Sequence, residues 1–164
     1  MPDQTLQAGD GKLYQVAPVV KYGGKIKTNE TITGTVTLLG EMTVESGATL
    51  TISGACTYTI NQNITVNPGA SLIINPGATL KFAPGKSLII NGILNATGNA
   101  SNKIKFYRSG TTGYWGGIQF NSGSTGNLQY CDIKNAYYGI YTSNSNPIIS
   151  NCNITNNCNG SSEN

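Results

Sequence analysis

The sequence predicts an all-β fold, and within that class a right-handed parallel β-helix with about 21 to 22 residues in each coil. Three features of the 164-residue chain support this prediction. Short apolar runs alternate with polar residues at a period of two, segments repeat at an offset of 21 or 22, and glycine-containing turns separate the runs. Stretches with the period of an α-helix are absent from the sequence.

The alternation becomes regular at about residue 31. Segments such as 35–38 and 42–44 place threonine and apolar residues at alternate positions, which predicts strands with one buried face. Residues 1–30 are weakly patterned and contain several glycines. We therefore expect an N-terminal cap, or a strand that leads into the solenoid, over residues 1–30 and a parallel β-helix over residues 31–164.

Internal repetition predicts how the coils stack. Residues 126–136 resemble residues 147–157 at an offset of 21, and Ile118 matches Ile140 at an offset of 22. The matched pairs of the first alignment are Leu128 with Ile149, Cys131 with Cys152, Ile133 with Ile154 and Asn135 with Asn156. In stacked coils such pairs form continuous columns, and we expect a hydrogen-bonded asparagine ladder at the last of them.

A Pro-Gly or Ser-Gly turn precedes a short strand at four places. The glycines of these turns are Gly47, Gly69, Gly77 and Gly85, at successive spacings of 22, 8 and 8. Proline presets φ and glycine accepts positive φ, so each turn bends the chain into the next face of a coil. Leucine-rich repeats have a similar period, but their asparagine consensus and helical return are missing.

Composition excludes several classes of partner. Ten basic residues stand against seven acidic ones, and Arg108 is the only arginine, so we expect no binding to nucleic acid. The nearest approach to a basic patch is formed by Lys103, Lys105 and Arg108, either as a solvated strand face or as an anion site. No apolar run reaches the length of about 18 residues that a membrane span needs, so we expect no membrane insertion.

Taken in order, several segments resemble secreted bacterial right-handed parallel β-helix repeat proteins of the pectin-lyase-like superfamily. These segments are the turn-strands at residues 47–52 and 76–82, residues 102–106, residues 115–118, and the paired Cys-x-Ile-x-Asn segments. The resemblance covers roughly residues 31–157. It implies a secreted or cell-surface solenoid, often a module of a longer chain, that in some cases binds or acts on polysaccharides.

Catalytic and metal sites are not predicted. Polysaccharide lyases of this superfamily hold calcium with clustered acidic residues, whereas the seven acids here are scattered, so no calcium cluster is carried over. Glu41 and Glu45 are the only close pair of carboxylates, and we interpret them as solubilising. The chain has no histidine, which excludes Ser-His-Asp and Cys-His catalysis and most zinc sites. We expect neither enzymatic activity nor a cofactor.

Cysteines and threonines have simpler interpretations. Cys131 over Cys152 is best explained as a column of small buried side chains, with a disulfide between coils as an alternative. The threonine pairs that begin at Thr35, Thr49 and Thr57 suggest an ice-binding array. Their spacings of 14 and 8 do not match the coil, so we expect no flat threonine surface.

Aromatic residues are the most plausible functional feature, because sugar rings stack on flat aromatic faces. The candidate ligand-binding residues are Tyr107, Tyr114, Trp115, Tyr137, Tyr138 and Tyr141. The repeat alignment predicts Trp115 and Tyr138 in one column. Packing of the core or of a corner is the commoner role for such residues, and a platform for a ligand is the alternative.

Together these features predict a non-enzymatic extracellular module, structural or adhesive, that binds polysaccharide or another cell-surface component through exposed aromatics. The alternative is a carbohydrate-active, polysaccharide lyase-like module with its catalytic residues outside this segment. One period beyond Gly139 falls at Gly160, so the last coil is expected to be truncated. An uncapped C-terminal coil predicts self-association or continuation in a longer chain.

Overall fold

In a computed structural model, residues 19–21 and 23–158 are described, and they form strands and turns without a helix. This part of the chain accordingly offers no helix that could cross a membrane. The strands of coils 1 to 3 are β1 (Val19–Lys21), β2 (Gly24–Ile26), β3 (Glu30–Ile32), β4 (Thr35–Leu38), β5 (Met42–Val44), β6 (Thr49–Ile52), β7 (Thr57–Ile60), β8 (Ile64–Val66) and β9 (Ser71–Ile74). The later strands are β10 (Thr79–Phe82), β11 (Ser87–Ile90), β12 (Ile93–Thr97), β13 (Ile104–Arg108), β14 (Gly117–Phe120), β15 (Thr125–Gln129), β16 (Cys131–Lys134), β17 (Ile140–Thr142), β18 (Ile148–Ser150) and β19 (Asn153–Thr155).

Each coil contributes one strand to each of three parallel sheets. Sheet A contains the first strand of every coil and β19, sheet B the second strands, and sheet C the third strands. Neighbouring strands in each sheet come from successive coils, so the chain winds through all three sheets before it returns to the first. The predicted all-β fold, a parallel β-helix, is confirmed as a solenoid of about six coils.

The coil length is about 22 residues in the regular part of the solenoid, where Val36 pairs with Tyr58 of the next coil. A later coil is longer, because Leu88 pairs with Ile118. Ile118 then pairs with Ile140 at the regular spacing, as predicted. The extra residues therefore lie in connections and do not shift the strands.

The predicted match between the last coils is also confirmed. Strands β16 and β19 pair in the predicted register, with Ile133 beside Ile154. The backbone N–H of Cys131 donates to Sγ of Cys152 at 3.4 Å, which places the second cysteine over the first. Asn135 and Asn156 occupy equivalent corners, and both have a left-handed backbone, with φ of 60° and 58°. Asparagine tolerates this conformation better than most residues, which explains its recurrence there.

Side chains that point inward form columns along the solenoid. Val44, Val66, Ile90 and Phe120 lie one above another in sheet B, and none of them is exposed to solvent. Outward residues alternate with these inward residues along each strand, as the period-two pattern predicted. Burying each large apolar side chain contributes about 1.5–3 kcal/mol, so the columns are the main source of stability.

Polar side chains connect successive coils at the corner between sheets B and C. Nδ2 of Asn67 donates to Oε2 of Glu45 at 3.2 Å, and Nδ2 of Asn121 donates to Oδ1 of Asn91 at 2.8 Å. A bond between asparagine side chains of successive coils is thus found at this corner, and not between Asn135 and Asn156, where the sequence analysis predicted it.

The two ends of the described region differ. Strands β1 and β2 pair with β4 and β5, so the described part of residues 1–30 already belongs to the solenoid. Residues 1–18, on which most of the predicted cap falls, lie outside the described residues, as does Gly160, where the predicted truncation falls. Ile149 is 42% exposed although Leu128, its partner one coil earlier, is fully buried. Self-association through this end stays a prediction.

We expect Tyr58→Phe to leave stability unchanged or to raise the free energy of unfolding by up to about 1 kcal/mol. Tyr58 is fully buried, and its hydroxyl donates only to the weak acceptor Sδ of Met42, at 3.7 Å. Burial also raises the pKa of this phenol far above its ordinary value. Tyr58→Ala should instead cost about 3–5 kcal/mol. Urea unfolding measures both changes, and a loss above about 1 kcal/mol for the phenylalanine variant would contradict this description.

Candidate functional site

One corner of the solenoid carries an unusually long connection. Between sheets A and B, the connection has three residues at 61–63 and four at 83–86, but eight at 109–116. This long loop (residues 109–116) contains Tyr114 and Trp115. It accounts for most of the extra length of its coil and places Tyr114 at the outer surface.

Trp115 anchors the long loop in the core and is not a ligand surface. Its side chain is completely buried, stacks on Phe82 with ring centroids 4.6 Å apart, and donates from Nε1 to the carbonyl of Lys134 at 2.8 Å. Its backbone pairs with Ala136. The prediction that Trp115 and Tyr138 share a column is therefore wrong, and the buried indole is not available for stacking on a sugar.

The error has a simple geometric cause. Trp115 precedes Ile118 by three residues, whereas their partners Ala136 and Ile140 are four residues apart. The sequence alignment instead placed Tyr138, only two residues before Ile140, over Trp115, so it shortened a segment that the structure lengthens. The longer segment leaves both tyrosines at 137–138 on the outside of the coil.

Three tyrosines form an exposed aromatic cluster, defined here as Tyr137, Tyr138 and Tyr141. Their exposed fractions are 46%, 39% and 47%. The rings of Tyr137 and Tyr138 meet edge to face with centroids 4.9 Å apart, and those of Tyr138 and Tyr141 are tilted with centroids 5.7 Å apart. These arrangements are favourable for aromatic pairs, so the rings support one another while their outer faces stay in solvent.

The backbone beneath the aromatic cluster is held by the long loop. The N–H of Tyr137 donates to the carbonyl of Trp115 at 2.6 Å. Gly117 has φ of +102°, and a Cβ at this position would overlap the carbonyl oxygen of Tyr138. Only glycine permits this close approach, so the backbone that carries the cluster packs tightly against the neighbouring coil.

The other two candidate tyrosines lie apart from the cluster. Tyr114 is 43% exposed in the long loop, and its carbonyl accepts a hydrogen bond from Gly85 at 2.8 Å. Tyr107 is half-buried on the outer face of sheet A, where Nζ of Lys134 lies 5.7 Å from its ring centroid. The structure thus brings three of the six candidate residues together, with Tyr138 in ring contact with each of the other two.

A basic column, defined as Lys81, Tyr107 and Lys134, crosses sheet A over three coils. Lys81 pairs directly with Tyr107 on one side, and Lys134 lies over the ring on the other. Lys134, which lies over the aromatic ring, gains a cation–π attraction of about 0.5–1 kcal/mol, as is usual at exposed sites. The two lysines were missed in the sequence because each is separated from the tyrosine by a coil longer than the regular period. The two lysines lie at nearly equal sequence separations from Tyr107, and this regularity could have indicated that they share a column.

The nearest approach to a basic patch, formed by Lys103, Lys105 and Arg108, is partly neutralised. Nζ of Lys103 forms an ion pair with Oδ1 of Asp132 at 3.3 Å. Nη1 of Arg108 donates to the carbonyl of Gly113 at 2.8 Å and so helps to fix the long loop. Lys105 is exposed beside Asp132 in the sheet. Among the side chains of sheet A that the structure describes, Lys81, Lys105, Arg108 and Lys134 therefore carry positive charge that no ion pair neutralises.

Glu45 is held by a cation and an amide. Its Oε1 lies 3.0 Å from Nζ of Lys25, and this hydrogen-bonded ion pair, with a smaller contribution from Asn67, lowers the pKa of Glu45 against the opposing effect of desolvation. Glu41, the other member of the predicted solubilising pair, is exposed. Among the described residues, no group of three or more His, Cys, Asp or Glu side chains could hold a metal ion.

The threonines form a more regular surface than the sequence analysis allowed. Thr35 and Thr37 pair with Thr57 and Thr59 of the next coil in sheet A. The expectation that the threonine pairs cannot align in neighbouring coils is therefore wrong for this sheet. The error arose because the spacings of 14 and 8 were taken between threonine pairs that lie in different sheets, and not between successive coils of one sheet. The array contains two complete rows, because the third row has Lys81 in place of the second threonine.

Comparisons of the chain with protein-family models, with curated proteins and with solved structures find no match. The fold assignment therefore depends on the strand register alone. The resemblance to secreted bacterial proteins of the pectin-lyase-like superfamily stays a prediction.

We expect nitration by tetranitromethane to modify Tyr114 and the aromatic cluster well before Tyr58 and Tyr107. The reagent attacks the phenolate of accessible tyrosines. Burial raises the pKa of Tyr58, and burial together with the charge of Asp132 raises that of Tyr107, and each unit of increase leaves about tenfold less phenolate. Peptide mapping by mass spectrometry after brief exposure checks the order. Early nitration of Tyr58 in folded protein would contradict the structure.

Proposed function

We propose that this chain is a non-catalytic extracellular solenoid module, structural or adhesive, that binds a polysaccharide chain through the aromatic cluster. The observation that carries this proposal is the cluster itself: three adjacent tyrosines that are each about two-fifths to one-half exposed and in ring contact. Tyrosine rings that serve only to fill a core are buried, as Tyr58 is. Exposed aromatic residues that lie together are typical of binding surfaces.

The chemistry of a sugar chain matches this surface. The C–H face of a pyranose ring stacks on an aromatic ring, and the phenolic hydroxyl at the ring tip can exchange hydrogen bonds with the sugar hydroxyls. Tyrosine has few rotatable bonds, so little conformational entropy is lost on binding. The anchored backbone under the cluster reduces this cost further, because Trp115 fixes the adjacent segment in the core.

The charges nearby favour an acidic polysaccharide. Lys134 and Lys81 flank Tyr107 on sheet A, one corner away from the aromatic cluster, and Lys105 adds a further exposed charge. Asp132, an acidic residue of this face, is paired with Lys103. Carboxylates or sulfates along a sugar chain would gain from these cations, mainly through faster association.

The alternative function is a carbohydrate-active module of the polysaccharide lyase type with its catalytic residues elsewhere. The ion-paired state of Glu45 and Asp132 supports the non-catalytic function, because an acid already held by a lysine is poorly placed to hold calcium. Incubation with pectin or alginate in the presence of calcium distinguishes the two. Unsaturated uronate products would favour the lyase.

We expect the double variant Tyr137→Ala/Tyr141→Ala to weaken binding to the preferred polysaccharide by about 10- to 30-fold. Each ring is assigned about 0.7–1 kcal/mol of stacking, which gives this range for two rings. The matched control is Ile93→Ala, which removes an exposed apolar side chain (41% exposed) from sheet C, away from the cluster. Affinity electrophoresis over a panel of neutral and acidic glycans measures the change. Equal losses in both variants, or no loss in either, would refute the proposed site.

We expect Lys81→Ala/Lys134→Ala to weaken binding to acidic glycans by about tenfold in low salt and to leave neutral glycans unaffected. The reason is the loss of two cations beside Tyr107. Lys27→Ala serves as the control because this exposed lysine lies in the first coil. Titration calorimetry at two salt concentrations measures the difference, and equal weakening for neutral glycans would contradict the electrostatic assignment.

A further inference from the structure

Two cysteines meet in the last coils of the solenoid. Cys131 begins β16 and pairs with Ile104 one coil earlier, and Cys152 lies over Cys131 immediately before β19. The N–H of Cys131 donates to Sγ of Cys152 at 3.4 Å. Both are free thiols in the structure. They are therefore neighbours in space although a whole coil of the chain separates them in sequence.

The two thiols differ in exposure. Cys131 is completely buried, whereas Cys152 is half-buried and packs against the edge of the core. As thiols, Cys131 can donate to the carbonyl of Ala96 at 3.4 Å and Cys152 to that of Leu128 at 3.4 Å. Cys152 is thus the thiol that a small molecule in solution reaches first.

The hydrogen bonds between the two cysteines also give their thiols different pKa values. Hydrogen bonding to the side chain and backbone of Cys131 lowers the pKa of Cys152 to about 7, in spite of its partial burial. The same contact, together with burial, raises the pKa of Cys131. The charge of Asp132, a carboxylate that is itself paired with Lys103, raises both. Near neutral pH about half of the outer sulfur is therefore thiolate, whereas the inner one remains protonated.

We propose that Cys131 and Cys152 form a redox-modified pair that reacts with a low-molecular-weight disulfide such as oxidised glutathione. The Cys152 thiolate attacks one sulfur of the small disulfide, a mixed disulfide forms, and one small thiolate leaves. Cys131 then loses its proton and attacks Sγ of Cys152. The second small thiolate leaves and takes up that proton. In total the two protein thiols are oxidised to one disulfide, and the small disulfide is reduced to two thiols.

The backbone spacing permits this bond. Parallel strands lie about 4.7–4.9 Å apart, inside the range of about 4.4–6.8 Å between Cα atoms that disulfides span. The product would connect β16 to β19 and close a loop across the whole last coil. In the last coil the side chains that face the core are more exposed than in the rest of the described region. A disulfide there would therefore have its largest effect on local unfolding of this coil. The inference concerns the core and does not depend on polysaccharide binding.

The test uses the full chain with Cys56→Ala and Cys158→Ala, which removes the other two thiols. Alanine suits position 56 because Ala78 occupies the same column one coil later. Reduced protein is incubated with oxidised glutathione and mapped by mass spectrometry. We expect a peptide crosslinked between Cys131 and Cys152, and with Cys131→Ala added we expect a stable mixed disulfide on Cys152. Glutathione on both cysteines without a crosslink, or no reaction at Cys152, would overturn the proposal.

A second measurement does not require the crosslink. Alkylation of Cys152 by iodoacetamide at pH 7 should be about fivefold faster in the folded protein than in urea, because the gain in thiolate exceeds the loss of nucleophilicity. The rate should increase as the pH rises through about 7 and then level off. Cys131→Ala should shift this profile to higher pH, because it removes the principal contact that stabilises the thiolate. A profile unchanged by Cys131→Ala would show that the two sulfurs are not coupled and would overturn the proposed chemistry.

Discussion

In-register stacking of successive coils is the constraint on which the rest of the structure depends. Each strand inside a sheet forms its backbone hydrogen bonds with the coils before and after it, so its residues lie over equivalent residues one coil earlier. Inward positions therefore build shared columns such as Val44, Val66, Ile90 and Phe120. A polar residue at one inward position would be placed against apolar neighbours above and below. This requirement explains the period-two pattern that begins at about residue 31.

The same stacking organises the outer surface. Lys81, Tyr107 and Lys134 come from three different coils and are far apart in sequence, yet the register brings them together on one face. The aromatic cluster arises differently, because its tyrosines belong to one coil and are exposed by a local change of spacing. Two kinds of irregularity, a long loop and one additional residue in the following coil, thus produce the most distinctive part of an otherwise regular surface.

The sequence predicted the fold and several columns but not the composition of the site. The pairings of Ile118 with Ile140 and of Cys131 with Cys152 were predictable because the segments between them have nearly equal lengths. The pairing of Trp115 was not predictable, because a bulge of one residue changes the register without altering the local pattern. The exposure of the aromatic side chains could not be predicted from the sequence either. The sequence pattern does not distinguish the buried Trp115 from the exposed tyrosines of the aromatic cluster, because the exposure of each side chain depends on the conformation of the coil.

The long loop also has a consequence for the architecture as a scaffold. Eight residues replace three or four at one corner, yet the strands on both sides keep their partners, and the following coil returns to the regular spacing. Corners of this solenoid can therefore lengthen independently of one another. A foreign peptide spliced into the corner at 83–86, one coil earlier, would be displayed beside the natural loop at a separation set by the distance between strands. An ordered row of grafted epitopes could be built in this way.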